Sequence, residues 1–167
     1  MQAKPLLEQT AEQAGRFRQR PLQGWAITLL AEAYLSTQDL EQAQALALQG
    51  LEISRAIKNA WGLGIAQHTL GRIALARGAL AEAETHLTAT LQIFTAMQAG
   101  FQAGRTRLDL ATLAHAQGDQ ETVVTHLKAA QALFRTLRVP KYVERTAHLA
   151  RALGVSLPTR QRPQRPS

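Results

Sequence analysis

The chain has 167 residues, of which 46% are apolar but only 5% aromatic, with a formal net charge of +7 and no cysteine. Such a length gives one modest domain with enough chain for a core, and the missing cysteines exclude a disulfide framework and a thiolate metal site. No apolar run is long enough to span a bilayer, and Met1-Gln2-Ala3-Lys4-Pro5 lacks the apolar stretch of a secretory signal, so a soluble cytoplasmic protein is expected.

Ala, Leu and Gln dominate, and with Glu and Arg they rank among the strongest helix formers, which favours helices throughout. Residues 5–20 predict an opening helix with Leu6, Leu7, Ala14 and Phe17 on its apolar side. Residues 22–37 place Ile27, Leu30, Ala31 and Tyr34 on one face, the spacing of an amphipathic helix. A turn at Thr37-Gln38-Asp39 follows, with Asp39 as N-cap and Gln42 able to close a capping box. The next helix runs from about residue 40 to 58 with Ala43, Ala47, Gly50, Leu51 and Ile57 inward, and Asn59-Ala60-Trp61-Gly62 breaks it. Gly62 and Gly64 read as helix-entry residues. Further turns fall at Gly78 and Gly118-Asp119, and further breaks at Ala99-Gly100 and Val139-Pro140, where Gly and Pro are the expected terminators. Residues 141–153 predict a last helix that stops at Gly154. From Val155 onward, Pro158, Pro163 and Pro166 among Arg, Gln and Ser predict a disordered tail, residues 155–167.

These elements repeat every 40 residues. Leu30, Leu70 and Leu110 fall in register, as do Ala31, Gly71 and Ala111, Ala43, Ala83 and Val123, Ala47, Leu87 and Leu127, and Ile53, Ile93 and Leu133. A fixed period of this size marks a solenoid, whose units bury their apolar faces by stacking. The expected division is an orphan second helix at 5–20, repeats at 22–61, 62–101 and 102–141, and a closing first helix at 141–153, all within a solenoid spanning 1–154.

The repeat resembles the tetratricopeptide repeat. Ile27, Leu30-Ala31, Tyr34, Ala43 and Ala47 match its pattern of a large residue, Leu-Gly or Leu-Ala, a Tyr-like site, Ala and a bulky residue. Gln67, Leu70-Gly71, Ala74, Ala83 and Leu87 follow it, as do Arg107, Leu110-Ala111, Ala114, Val123 and Leu127, with Pro140 at the last boundary. Gln67 and Arg107 depart from the leading aromatic, and the period of 40 exceeds the family's usual 34, which lengthens the helices. Long repeats of this kind are similar to those in the C-terminal sensor arms of bacterial signalling ATPases and transcription activators, which bind inducers, peptides or regulatory proteins. The resemblance implies an all-α, right-handed superhelical α-solenoid of antiparallel helix pairs.

It also implies a non-catalytic interaction module that holds a peptide or partner helix along the first helix of each pair. In the family's frame the groove positions fall on Trp25, Thr28, Glu32 and Leu35, then Ile65, His68, Arg72 and Leu75. The third unit supplies Arg105, Leu108, Thr112 and His115, and the closing helix Arg145 and His148. Thr28 and Glu32 stand where the family's carboxylate clamp has Lys and Asn, so that specificity does not carry over. A protein segment that is acidic and apolar is the expected partner, because guanidinium groups favour carboxylates and Trp25 offers buried area.

Other chemistries find little support. The five histidines form no i, i+4 pair and no His-Glu-x-x-His, so no metal and no cofactor is expected. No nucleophile elbow, phosphate loop or convergent acid–base pair is present, so an enzyme is not expected. His86 and His126, one period apart, read as packing residues on adjacent second helices, and Trp61 and Phe101 as packing between units. Charge offers a second reading: residues 1–134 balance eleven Lys/Arg against eleven Asp/Glu, whereas residues 135–167 carry eight basic side chains against Glu144 alone. Nucleic-acid binding through this end is the alternative, although no groove-reading motif and no stacking aromatic accompanies it. A third is a structural or oligomerisation arm of a larger regulator, with self-association through the uncovered opening helix.

Overall fold

A computed structural model describes residues 3–157. Among them lie eight α-helices: α1 (Ala3–Arg16), α2 (Arg20–Ser36), α3 (Leu40–Ala56), α4 (Ala60–Arg77), α5 (Leu80–Ala96), α6 (Gly100–Ala116), α7 (Gln120–Thr136) and α8 (Pro140–Ala152). From α2 onward each helix starts 20 residues after the last, so the 40-residue repeat is two equal helical steps. The expected all-α solenoid is the observed architecture. Each helix packs on the next, and α2 also touches α4 and α4 touches α6. None of the described helices is long and apolar enough to cross a membrane.

The repeat frame begins two residues earlier than the sequence suggests. Pairs start at Arg20, Ala60 and Gly100, not at 22, 62 and 102, and the opening helix ends at Arg16, not at residue 20. The cause is a left-handed residue at every junction: Arg18, Gln38, Lys58, Gly78, Gln98, Gly118 and Arg138 all have φ between 54° and 78°. Only two of these seven are glycine, so at five helix ends the left-handed residue itself carries no sequence mark. At each one the amide of the following residue closes the helix, as where Asn59 N–H donates to the Ser54 carbonyl at 2.8 Å. Asp39, Asn59 and Asp119 then cap the next helices by accepting from the amides of Gln42, Gly62 and Thr122. The capping-box role expected for Gln42 reduces to that single bond.

Within a pair, closeness depends on small residues in the first helix. A Cβ on Gly64 would lie 2.7 Å from Phe94 Cζ, and one on Gly104 would lie 2.7 Å from Phe134 Cζ. Gly64 is therefore a packing residue inside α4 rather than a helix-entry residue, and Gly62 lies in α4 against Ser54. Ring contacts reinforce the same seams: Trp61 meets Phe94 edge-on at 5.5 Å and Phe101 meets Phe134 at 5.9 Å. Trp61 thus packs within its own pair, while Phe101 also bridges units by reaching Tyr142 of α8 at 4.8 Å. Buried Ala31, Ala43, Ala47, Ala66 and Leu70 join the first two pairs, and Ala74, Ala83, Leu87, Leu110 and Leu113 join the next.

The two ends differ from the middle. In α8 the position of Gly64 and Gly104 is taken by exposed Glu144, and that of Gly71 and Ala111 by exposed Arg151. Leu7 and Ala14 of α1 are covered by α2, leaving Leu6 and Phe17 exposed at 64% and 74%. The apolar stripe expected there is broken by exposed Gln13, which stands where α3, α5 and α7 have Ile53, Ile93 and Leu133. Order continues past residue 154: left-handed Gly154 turns the chain back, Val155 N–H bonds the Ala150 carbonyl at 2.8 Å, and Val155 and Leu157 pack on the last core cluster. The disorder expected from 155 thus does not hold for residues 155–157, whose two apolar side chains pack on the core. Its Arg- and Pro-rich portion, 158–167, lies outside the described residues.

Candidate functional site

The first helices of the pairs, α2, α4 and α6, and the closing α8 all contribute to one polar cleft of about 250 Å³. Glu32 comes from α2, Arg72 from α4, Arg105, Leu108 and Asp109 from α6, and Tyr142 and Arg145 from α8. Long side chains from these four alternate helices thus meet on one side of the stack.

Charge within the cleft is partly neutralised in place. Arg72 donates to the Glu32 carboxylate, which also accepts from the buried Thr69 hydroxyl at 2.8 Å. Buried His68 holds Asp109 with its Nε2 2.6 Å from the carboxylate. The acids of the cleft are thereby engaged by α4. Arg105 reaches only the Gln102 side-chain oxygen at 3.3 Å, and Arg145 lies over the Tyr142 ring at 5.5 Å. Neither forms an ion pair among the described residues. Two guanidiniums of the cleft therefore have no carboxylate partner among the described residues.

The residues expected in the groove divide into two sets. Trp25, Ile65, Arg105 and Arg145 occupy one equivalent position in the four helices, and Glu32 and Arg72 another. Trp25 is 53% exposed. Thr112 and His148 are exposed and line an adjoining cleft of about 210 Å³ together with Arg145. Thr28 and His68, by contrast, are buried. Thr28 bonds the Gly24 carbonyl at 2.8 Å and fills the space above Gly50, while His68 is the support of Asp109. Leu108 is buried core that forms the cleft floor, and Leu75 is half-buried against the core of the second and third units. These four serve packing or positioning because the outward stripe of α2 is 22, 25, 29 and 32, not 25, 28, 32 and 35. The rotated stripe adds Tyr142 and Asp109, absent from the expected set. Period alone could not choose between the two stripes; the burial of Leu35 and Thr28 against α3 does.

A different polar contact joins the helices of the second pair and of the third. His86 Nδ1 lies 2.5 Å from Gln67 Oε1, and His126 Nδ1 accepts from Arg107 at 3.4 Å. Gln67 and Arg107 are the residues that depart from the tetratricopeptide pattern, and each faces a histidine; the equivalent residues in the first pair, Ile27 and Leu46, are apolar. Burial pushes both histidine pKa values down, opposed at His86 by Glu82 and aided at His126 by Arg107. Among the described residues no three His, Asp or Glu side chains gather in a group able to hold a metal. A comparison with protein-family models and with curated proteins finds no match to this chain.

Proposed function

We propose that the chain is a non-catalytic protein-interaction module of the tetratricopeptide type, holding a peptide or partner helix on the concave face of α2, α4, α6 and α8, within bacterial signalling or regulation. The observation that carries this reading is the cleft lined by side chains from all four of these helices, with Arg105 and Arg145 unpaired inside it. Exposed Trp25 on the same face supplies the apolar contact that anchors such complexes. A right-handed superhelix belongs to the same reading, because the family's repeats wind that way.

The test is a pull-down with the intact chain and with an Arg105→Glu/Arg145→Glu variant whose helicity is checked by circular dichroism. Partners bound in the groove are lost from the variant. An unchanged set of partners would place binding elsewhere, with the basic C-terminal end as the next candidate. A second reading, an oligomerisation arm, rests on exposed Leu6 and Phe17, and light scattering of a Leu6→Glu/Phe17→Glu variant decides it by the loss or persistence of higher-mass species.

A further inference from the structure

We propose that the concave face is polarised, so that a bound segment lies with bulky apolar residues against α2 and α4 and with a carboxylate in the cleft between α6 and α8. The inference rests on that face being the binding site, and it adds direction and spacing.

Four equivalent stripes can be compared helix by helix. On α2 the stripe reads Leu22, Trp25, Leu29, Glu32, and on α4 Gly62, Ile65, Thr69, Arg72. On α6 it reads Gln102, Arg105, Asp109, Thr112, and on α8 Tyr142, Arg145, Leu149, Ala152. The second position therefore changes from Trp25 and Ile65 to Arg105 and Arg145 halfway along the stack. Leu22 and Trp25 are 39% and 53% exposed, an apolar area that water would leave if a bulky side chain covered it. The only charged members of the first two stripes, Glu32 and Arg72, are bonded to each other.

The other half has the opposite need. Of the cleft's charged residues, α6 and α8 supply Arg105, Arg145 and Asp109, so one cation is in excess in this half. Glu32 and Asp109 are engaged by Arg72 and His68, and among the described residues neither is bonded to Arg105 or Arg145. Beyond the cleft α8 adds Lys141, His148 and Arg151 against Glu144. One carboxylate brings the cleft to neutrality and gives the guanidinium forks the oxygen pair they match. Packed helices lie about 8–10 Å apart, so Trp25 and Arg105 are roughly 16–20 Å apart along the stack, the reach of about five or six residues of extended chain.

Blocked ten-residue peptides with two leucines near one end and two glutamates near the other, made in both chain directions, are the probes. Each carries a benzophenone beside the glutamates, and cross-linked sites on the intact chain are mapped by mass spectrometry. The expected result is saturable binding by at least one peptide, with cross-links on α6 and α8. Arg105→Gln/Arg145→Gln then weakens it about ten-fold or more, the size expected for lost bonds to a charged group. Trp25→Ala weakens it while leaving the cross-links on α6 and α8. Binding with cross-links on α2 or α4 would overturn the polarity and leave the groove reading standing. Saturable binding by neither peptide would overturn both.

Discussion

The left-handed residue at each helix junction is the smallest unit from which the repeat is built, and most copies of it are not glycine. A left-handed residue bearing Cβ costs about 1–2 kcal/mol, and glycine in its place costs about 0.4–1 kcal/mol of unfolded-chain entropy. Lys58, at φ 54°, is exposed, and its following amide already closes the helix. Lys58→Gly is therefore expected to stabilise the fold by about 0.5–1 kcal/mol, read as a higher urea midpoint with unchanged slope. A lower midpoint would mean that the Lys58 side chain contributes contacts that outweigh its backbone strain. The same residue shows why boundaries in the sequence shifted by two. Gly78 and Gly118 mark their helix ends at the left-handed residue itself, but at Lys58, Gln98 and Arg138 the readable signals (Asn59, Gly100 and Pro140) lie one or two residues later.

At the scale of the element, helix pairs are sealed by a position whose chemistry varies from unit to unit. Apolar Ile27 and Leu46 in the first pair give way to Gln67 with His86 and Arg107 with His126. Helix identity and facing residues were legible because Leu, Ala and Ile recur at fixed offsets, yet the departures at Gln67 and Arg107 had no visible meaning until their partners across the pair were known. These pairs also link stability to pH. Both histidines have folded-state pKa values below the ordinary 6.5, chiefly through burial. As pH falls below about 6.5 the unfolded chain takes up protons that the folded chain does not, so stability is full above that value and declines below it. Arg107 adds to the effect at His126, whereas Glu82, 3.8 Å from His86, opposes it there. The midpoint of thermal unfolding is expected to fall between pH 7.5 and 5.5, and His126→Gln to reduce that fall more than His86→Gln does. An identical pH profile for the His126→Gln variant would remove His126 from the cause.

For the whole molecule, the period made the solenoid legible and left the site half hidden. Trp25, Arg72, Arg105 and Arg145 could be placed on one side of the stack because their positions recur on the first helix of each unit. Asp109 and Tyr142 were missed because the inward rotation of each helix is set by packing such as Thr28 above Gly50, which the period does not encode. Arg72 and Glu32 were likewise both expected in the groove, and the period does not say that they bond to each other. Stacking chose the ion pair, and this separates the three cleft arginines by role. Arg72→Gln strips a partner from half-buried Glu32, at a cost discounted to about 1 kcal/mol by its partial exposure. For a chain of this size that lowers the melting midpoint by about 2–4 °C. Arg105→Gln and Arg145→Gln break no ion pair and remove a cation from a cleft with one in excess, so each is expected to leave stability within about 0.5 kcal/mol or to raise it. Equal losses from all three substitutions would show that the cleft is a structural network, with its arginines holding the stack together rather than waiting for a ligand.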